Sequence, residues 1–515
     1  MSVATVAQTT DQVARAAETV GLPAPDQETA LVLDRASRGG YDRWSEQIRS
    51  TGYCSHPVRL SGQVTAIDRA TGEARVHYDT GKEPDGVLLK ACNNRRATVC
   101  PTCAETYRAD TYQLIAAGLR GGKGVPETVG AHPRVFGTLT AGSFGPVHGR
   151  VERRGRTSPC RARRRRVSCP HGRPTWCTHR HTEDDPWLGR PLCAECYDYD
   201  AAVLFNCFAP ELWRRFTIYL RRDLARLAGL SQKRMRQLVR VRFAKVAEGQ
   251  KRGLVHFHAV LRLDAAADDP AEHLPPPPPF TADLLEEAFY SAAARVHVDT
   301  PALSPSEPGV RLRFGEQVDV RTVRTDAIER SGESGDLDET AVAAYLAKYV
   351  TKATATGGIS DRTFTRDSIA TLNPGHHYDR MALTAWRLGG RKALEEFRLR
   401  RWAHMLGFRG HVATRSRGYS TTLGRLRGAR RDYRVKQKFG DQGPRDPWGR
   451  ALDASDDPDD DESTVLLVAD WRFTGRGHTT VGDAWLAETS AARAREHKEA
   501  RNAERRNQTV NREEQ

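Results

Sequence analysis

Two histidines and a glutamate form a pattern that suits metal binding. His256 and His258 are separated by one apolar residue, so on a β-strand both imidazoles point to one face while Phe257 points to the other. Residues 251–253, Lys-Arg-Gly, predict a tight turn before this strand. The turn places the carboxylate of Glu248 opposite His256 and diagonal to His258. Two imidazoles and a carboxylate suit a divalent cation such as Mg²⁺ or Mn²⁺, with open positions for phosphate oxygens.

A second segment carries candidate nucleophiles on a predicted helix. Its i, i+3, i+4, i+7 spacing puts two phenols and two ammonium groups on one stripe, namely Tyr345, Lys348, Tyr349 and Lys352. A separate apolar stripe can bury the helix, and it consists of Val342, Leu346 and Val350. A phenol attacks phosphorus as its phenolate, so its ordinary pKa of about 10 has to be offset by a neighbouring cation. The lysines and a metal that polarises the phosphate serve this need.

The two segments resemble motifs of a known superfamily. The His-Phe-His that ends at His258, with a downstream Tyr-x-x-Lys at Tyr345, resembles the HUH endonucleases. The second tyrosine, Tyr349, resembles the two-tyrosine replication initiators, including the gene A proteins of small single-stranded DNA phages. Residues 136–140, Phe-Gly-Thr-Leu-Thr, resemble the first motif of the superfamily. Because the tyrosines follow the histidines, the order favours a rolling-circle initiator over a conjugative relaxase.

Further segments extend the resemblance to the RepSA-type replication initiators of actinomycete plasmids and integrative elements. They are spread over roughly residues 50–490 and begin at Cys54, Cys92, Pro191, Leu406 and Tyr419. The resemblance implies a protein that binds single-stranded DNA and the double-stranded origin, nicks one strand and stays joined to its 5′ phosphate through a tyrosine. The other tyrosine then rejoins the strand at termination.

The same resemblance implies host partners. The released 3′ hydroxyl primes a host DNA polymerase, and a host helicase is expected because the sequence has no Walker-type phosphate loop. One alternative in the same class is a relaxase or transposase with the same chemistry. An alternative from another class is a non-catalytic, zinc-containing DNA-binding regulator in which the histidines and tyrosines merely pack.

Eight of the ten cysteines fall into two groups whose spacing predicts two structural zinc sites. The first group comprises Cys54, Cys92, Cys100 and Cys103. The second comprises Cys169, Cys177, Cys193 and Cys196, with His171, His179 and His181 as alternative ligands. Free reduced thiols are the other interpretation of both groups, and Cys160 and Cys207 have no evident role.

The charge balance points to nucleic acid. The chain of 515 residues has a formal net charge of +15 at pH 7, and such an excess raises affinity for any polyanion. No apolar run approaches the roughly 20 residues that span a bilayer, and no secretory segment opens the chain. We therefore expect a soluble, cytoplasmic protein with no membrane partner.

The predicted fold class is α+β. We expect an HUH nicking core with a central antiparallel sheet and packed helices, together with cysteine-rich zinc modules and a basic C-terminal helical extension. Strands are predicted near 135–140, 238–247, 254–263 and 465–473, and a helix at 212–230. The sequence predicts five domains. The first two are an N-terminal helical and flexible segment (1–49) and a first cysteine module (50–130), and the last two are a basic helical DNA-binding extension (356–455) and an acidic linker with a charged tail (456–515). Between them lies the nuclease core (131–355), which contains a cysteine-rich insertion (149–200) and a Pro-rich linker (265–282).

Overall fold

The computed structural model describes residues 26–37, 39–153, 155–269, 272–324, 337–352, 362–452 and 464–513. The strands are β1 (Val58–Asp68), β2 (Ala74–Asp79), β3 (Leu88–Lys90), β4 (Arg134–Ala141), β5 (Val151–Arg153), β6 (Arg156–Ser158), β7 (Val239–Gly249), β8 (Val255–Ala265), β9 (Val298–Asp299), β10 (Arg311–Leu312), β11 (Phe314–Arg324), β12 (Leu337–Asp338), β13 (Ala413–Arg415) and β14 (Val465–Arg476). The helices are α1 (Gln27–Ser37), α2 (Tyr41–Ser50), α3 (Pro101–Arg120), α4 (Tyr199–Leu227), α5 (Gln232–Leu238), α6 (Ala282–Arg295), α7 (Glu339–Lys352), α8 (Arg366–Ala370), α9 (His377–Leu388), α10 (Leu399–Trp402), α11 (Leu423–Phe439) and α12 (Val481–Glu513). This mixture of helices and sheets confirms the α+β class.

The described residues divide into two compact units. One, here called the terminal unit, contains the chain up to Tyr107 and again from Gly424. Its four-stranded sheet is built on β1, which pairs antiparallel with β14 along its whole length and with β2 and β3 on the other side. A small apolar cluster supports the sheet and consists of Trp44, Ile48, Leu89 and Ala487.

The second unit, here called the core unit, comprises Arg108–Leu423. Its six-stranded sheet has the order β12-β11-β4-β8-β7-β13. The pairs from β11 to β13 are all antiparallel, and only the short β12 runs parallel to its neighbour. The centre of the sheet is therefore antiparallel, as the sequence predicts.

Two helices cover one face of the core-unit sheet. Trp213 of α4 packs against Phe257 of β8, with ring centroids 5.8 Å apart. Phe216 of α4 meets Phe289 of α6 at 4.8 Å. Gly137 of β4 faces the Phe289 ring, and a Cβ there would collide with it. Because side chains alternate across a strand, this packing leaves the two histidines that flank Phe257 on the opposite face.

The predicted strands near 135–140, 238–247 and 254–263 correspond to β4, β7 and β8, and that at 465–473 to β14. The predicted start of the long helix at residue 212 is wrong, since α4 begins at Tyr199. The Asp198 side chain caps it by accepting from Ala201 N–H. Burial of residues 201–209 outweighs the hydrogen bond lost at Pro210. The segment before residue 26 and residues 453–463, which include the whole acidic linker, lie outside the described residues.

Candidate functional site

The hairpin of β7 and β8 brings the predicted metal ligands together. Glu248 pairs directly with His256, and His258 lies one pleat further along β8. The turn between the strands closes with Gly253 N–H donating to the carbonyl of Gln250 at 2.8 Å. Gly253 has a φ of 75°, a backbone conformation that glycine adopts without a Cβ penalty. The register is the one that the sequence predicts.

The three side chains converge on one point. The Nε2 atoms of His256 and His258 are 2.9 Å apart, and Nε2 of His258 is 2.9 Å from Oε2 of Glu248. All three ligand atoms lie within 4.8 Å of one another. Two nitrogens and one oxygen that face a common point form an incomplete coordination shell, which leaves room for phosphate oxygens on a divalent cation.

Two threonine hydroxyls contact the other nitrogens of these imidazoles. Oγ1 of Thr138 lies 3.2 Å from Nδ1 of His258, and Oγ1 of Thr140 lies 3.1 Å from Nδ1 of His256. Both threonines are on β4, the neighbour of β8 in the sheet. Contacts at Nδ1 hold each ring so that Nε2 points to the shared centre, as the outer hydrogen-bond partners of metal-binding histidines do.

Burial keeps both imidazoles neutral. It lowers the pKa of His256 to about 3, with a further contribution from His258. Burial alone lowers the pKa of His258 to about 4. A neutral imidazole has a lone pair for a metal ion, whereas a protonated one does not. At neutral pH the pair is therefore ready to act as ligands.

The tyrosine helix, α7, is held against the sheet at its apolar stripe and at its first turn. Val342, Leu346 and Val350 are buried, as predicted. At the first turn, the buried Arg134 of β4 forms an ion pair with Glu339 at 3.0 Å. These contacts turn the stripe with both tyrosines towards the histidines.

The two tyrosines differ in their distance from the metal ligands. The hydroxyl of Tyr345 lies 3.4 Å from Nε2 of His258, and its ring packs edge-on against Phe136 of the first motif at 5.8 Å. The ring of Tyr349 is 4.5 Å from that of Tyr345 and 5.5 Å from that of His258. Partial burial and the neighbouring Tyr349 raise the pKa of Tyr345 above its ordinary value. Its phenolate would form only with help from a nearby cation.

The predicted lysines are less closely placed. Lys348 is exposed, and among the described residues no hydrogen bond or ion pair joins its ammonium to another side chain. The side chain of Lys352 lies outside the described residues. The roles of both lysines stay predictions.

The first cysteine group comes together in the terminal unit as predicted. The sulfurs of Cys54, Cys92, Cys100 and Cys103 lie within 4.8 Å of one another, and those of Cys54 and Cys100 are 3.7 Å apart. About 3.8 Å is expected for two thiolates on one tetrahedral zinc ion. This group could hold zinc.

The second cysteine group differs from the prediction at one position. Cys169, Cys193 and Cys196 meet, and their fourth neighbour is His171, whose Nδ1 lies 3.2 Å from the sulfur of Cys196. Cys177 instead lies with Cys160 and two histidines. The cause is an antiparallel bridge that pairs Cys177 with Arg161, next to Cys160. This second group could also hold zinc, with His171 in the place predicted for Cys177.

Sequence reasoning missed several of these positions. Thr138 and Thr140 carried a signal, because their i, i+2 spacing on a predicted strand matches that of His256 and His258. The sequence offers His171 only as an alternative ligand and indicates no role for Cys160. The pairing that assigns them joins residues distant in sequence, which spacing alone does not reveal.

Comparisons with known proteins identify the family of the chain. Residues 40–492 match the family model described as replication initiator protein, pSAM2 (RepSA). The chain therefore belongs to the RepSA replication initiator family. It is 44% identical over 468 residues to a replication initiator protein of Streptomyces ambofaciens, which covers 89% of this chain and 92% of that protein. No solved structure matches the chain significantly.

Membership of this family makes the chain a replication initiator, and that role implies DNA binding. In the described part of the chain, no helix has the length and apolar character required to cross a membrane.

Proposed function

We propose that the chain initiates rolling-circle replication by nicking one strand at an origin and joining the 5′ phosphate to a tyrosine. The observation that carries this proposal is the convergence of four groups. Two imidazole nitrogens and a carboxylate oxygen face one point, and the Tyr345 hydroxyl lies 3.4 Å from the nitrogen of His258. Packing alone does not explain why an exposed phenol lies beside two neutral imidazoles that face a common point.

His256, His258 and Glu248 would hold a divalent cation, Mg²⁺ or Mn²⁺. The donor set fits, because both Nδ1 atoms are engaged by threonine hydroxyls and both Nε2 atoms remain directed to the centre. When bound, such an ion polarises a phosphate and offsets the negative charge that develops on it.

Tyr345 is the proposed nucleophile for the first cut. Its oxygen forms a bond to the scissile phosphorus while the bond from phosphorus to the 3′ oxygen breaks. The phenol loses one proton and the departing 3′ oxygen gains one, so the exchange is balanced and needs no further reactant. Phe136 packs against the ring of Tyr345 and holds it beside His258.

Tyr349 is the proposed second nucleophile. Its ring lies 4.5 Å from that of Tyr345, so both phenols can reach the same phosphate-binding point in turn. Attack by the second tyrosine at the regenerated origin would allow the strand to be rejoined without hydrolysis. The 3′ hydroxyl released by the first cut would prime a host DNA polymerase, and a host helicase would unwind the duplex.

Basic segments outside the site are proposed to hold the DNA. Helix α11 has no buried residue, and its sequence is Leu-Gly-Arg-Leu-Arg-Gly-Ala-Arg-Arg-Asp-Tyr-Arg-Val-Lys-Gln-Lys-Phe. An exposed helix with this many cations suits contact with phosphates. It lies within the predicted basic extension, 356–455.

Two structural zinc ions are proposed. The four thiolates of the Cys54 group would bind one, and Cys169, Cys193, Cys196 and His171 would bind the other. Both sets are closed, with four protein ligands and no position for substrate, as structural sites are. Zinc binding at such sites contributes directly to the free energy of folding.

The test is formation of a covalent protein-DNA adduct. The full-length chain is incubated with Mn²⁺ or Mg²⁺ and single-stranded oligonucleotides that tile the DNA flanking its own gene, then separated on a denaturing gel. Trypsin cleaves after Lys348, so Tyr345 and Tyr349 fall on different peptides and mass spectrometry identifies the attacking residue. We expect a metal-dependent adduct on the Tyr345 peptide.

Matched variants sharpen this experiment. His258→Ala should abolish the adduct while DNA binding survives, because basic residues supply most of the affinity. Tyr219→Phe, at a half-buried tyrosine of α4 on the other face of the sheet, should leave adduct formation unchanged. If the chain binds the oligonucleotides but never forms an adduct, the non-catalytic regulator is the better description. Full activity of His258→Ala without added metal would overturn the metal site.

A further inference from the structure

Two histidines and two cysteines meet in a segment where the sequence predicts only one zinc site. The four ligand atoms lie within 4.8 Å of one another and belong to His148, Cys160, Cys177 and His181. We propose that they bind a further structural zinc ion, and that this ion and the one at Cys169 cross-brace residues 144–198, here called the braced segment. The inference goes beyond nicking, because it concerns how the braced segment is folded.

The spacings match tetrahedral zinc. Nδ1 of His148 lies 3.2 Å from Nε2 of His181, and the sulfur of Cys177 lies 3.6 Å from the same nitrogen. With Zn–N of about 2.0 Å and Zn–S of about 2.3 Å, tetrahedral geometry requires about 3.3 Å between two nitrogens and about 3.5 Å between nitrogen and sulfur. Two imidazole nitrogens at such a distance are readily explained by a shared cation.

An outer carboxylate orients one of these ligands. Nδ1 of His181 lies 2.7 Å from Oδ2 of Asp185, and the His181 side chain is 2% exposed. A proton on Nδ1 that is donated to the carboxylate leaves the Nε2 lone pair free for the metal, which is the usual arrangement around a zinc-bound histidine. The same Nε2 is the atom that faces His148 and Cys177.

A competing set of ligands shares His181. His179, His181 and Asp185 also lie close together, with Nε2 of His179 3.4 Å from Oδ2 of Asp185. The side chain of His179 is 68% exposed, and this set leaves the buried Cys160 unused. A set with two thiolates and two imidazoles is closed and suits zinc better than two imidazoles and one carboxylate at the surface.

The two metal sites of the braced segment alternate along the chain. His148 and Cys160 are followed by Cys169 and His171, which belong to the other site. Cys177 and His181 then return to the first site, and Cys193 and Cys196 complete the second. The first and third pairs therefore share one ion, and the second and fourth pairs share the other. Each ion therefore closes a loop of the chain that contains ligands of the other ion, and neither loop can open unless its own ion is released.

Backbone hydrogen bonds show what each ion would tie together. The base of the braced segment is a ladder in which His148 N–H donates to the carbonyl of Arg190 at 2.8 Å. Further out is a hairpin in which Cys160 N–H donates to the carbonyl of His179 at 2.9 Å. One ion would join His148, in the ladder, to Cys160 and Cys177, where the hairpin begins and ends. The other ion would join Cys193 and Cys196, next to the ladder, to Cys169 and His171 at the turn of the hairpin.

The braced segment lacks the apolar interior that would hold it without metal. Among the described residues of the braced segment, the buried aliphatic or phenolic side chains are those of Leu188 and Tyr197. Short segments with so small a core depend on cross-links such as disulfides or bound metal ions. The cysteines form no disulfides, so bound metal ions are the cross-links that remain. The two sites also fix both ends of the arginine run 161–166, which lies between Cys160 and Cys169.

Zinc content per chain tests the proposal. Cys160→Ser is the discriminating substitution, because the grouping by sequence spacing does not use Cys160. We expect native mass spectrometry of full-length Cys160→Ser to show one zinc fewer than the wild type. Cys207→Ser, at a buried cysteine of α4 outside the segment, should lose none. The test compares the number of zinc ions per chain in the two variants, so its result does not depend on whether the chain nicks DNA. Equal zinc content in the two variants would overturn the proposal.

A measurement on the unaltered chain covers the case in which Cys160→Ser fails to fold. After replacement of zinc by ¹¹³Cd, the cadmium resonance shifts with the number of thiolate ligands. We expect three signals, in the regions for four, three and two thiolates. The two-thiolate signal belongs to the His148 site. A spectrum that contains the four- and three-thiolate signals without the two-thiolate signal would refute the His148 site and leave the other two intact.

Discussion

Thr138 and His258 are direct partners in the ladder of β4 and β8, and the hydroxyl of Thr138 lies 3.2 Å from Nδ1 of the imidazole. Thr140 repeats the contact one pleat further along, at His256. In the proposed metal site, the two threonines would be positioning residues that direct Nε2 of each ring to the metal ion. These contacts give residues 136–140 a physical role in the proposed site, which is to orient the two histidines.

Thr138→Val should weaken metal binding. Valine has a similar shape but cannot accept the Nδ1 proton, and loss of such an outer partner costs about 10–100-fold in metal affinity. We expect the Mn²⁺ concentration for half-maximal adduct formation to rise by about that factor, with DNA affinity in EDTA unchanged. Thr138→Ser keeps the hydroxyl and should behave like the wild type. Identical metal dependence of the two variants would show that the hydroxyl has no such role.

Gly189→Ala should loosen the turn between the two ligand strands. Gly189 has a φ of +84°, and a Cβ there would collide with the carbonyl of Lys251 in that turn. Gly229→Ala is the matched control, since Gly229 has a φ of +67° with no atom near the added Cβ. In both variants backbone strain lowers the free energy of unfolding by about 1 kcal/mol. Only Gly189→Ala adds the collision with the turn.

Limited trypsin digestion can separate these two variants. The turn contains Lys251 and Arg252, so a displaced turn becomes a cleavage site. We expect faster cleavage after these residues in Gly189→Ala than in Gly229→Ala, together with weaker adduct formation. Equal cleavage rates would mean that the braced segment does not support the turn.

The sequence predicts the parts of the site that depend on local geometry. Strand alternation places His256 and His258 on one face, and a three-residue turn sets the register of Glu248. Helical spacing likewise separates the tyrosines from Val342 and its apolar companions. Each of these inferences uses residues within about two turns or one hairpin of one another.

The parts that the sequence did not predict depend on long-range pairing. Thr138 reaches His258 only when β4 pairs with β8. Cys177 leaves the predicted group because an isolated antiparallel bridge pairs it with Arg161, the residue next to Cys160. In the terminal unit, β14 lies beside β1, although the two are separated by almost the whole chain. Neither propensity nor spacing reports which distant segments pair, because that depends on the total burial of the assembled sheet.

Lys245→Met should stabilise the core unit at neutral pH. Lys245 is 4% exposed, and its ammonium lies over the ring of Phe257 at 4.4 Å. Burial lowers its pKa from 10.5 to about 8. Between these two values the unfolded chain binds more protons than the folded chain, so the free energy of unfolding rises with pH. Below pH 8 both states are protonated and the full penalty of burying the charge applies, on the order of 3 kcal/mol.

Urea unfolding of the wild type and Lys245→Met at pH 7, 8, 9 and 10 measures this effect. The variant should be more stable at pH 7, and its advantage should shrink by about 2 kcal/mol between pH 8 and pH 10. Lys233→Met, at an exposed lysine of α5, provides the control for loss of a lysine. An advantage that stays constant across the series would contradict the lowered pKa.

Tyr345→Phe and Tyr349→Phe should differ in the first cut. Of the two tyrosine hydroxyls, only that of Tyr345 has a hydrogen bond to a proposed metal ligand among the contacts of the described residues, at 3.4 Å from Nε2 of His258. We expect Tyr345→Phe to reduce adduct formation with single-stranded DNA by at least about 1,000-fold, the scale at which loss of a nucleophile acts. Tyr349→Phe should retain most of it, and the double variant should form none. Both variants should keep the fold, because Val342, Leu346 and Val350 anchor the helix.

The second tyrosine should be needed later. In cells, Tyr349→Phe should allow initiation but block the rejoining step, so that linear or multimeric single strands accumulate in place of circles. Loss of the adduct in Tyr349→Phe with retention in Tyr345→Phe would reverse the assignment of the two roles. An adduct formed by the double variant, mapped to a residue outside 345–349, would overturn tyrosine chemistry at this helix altogether.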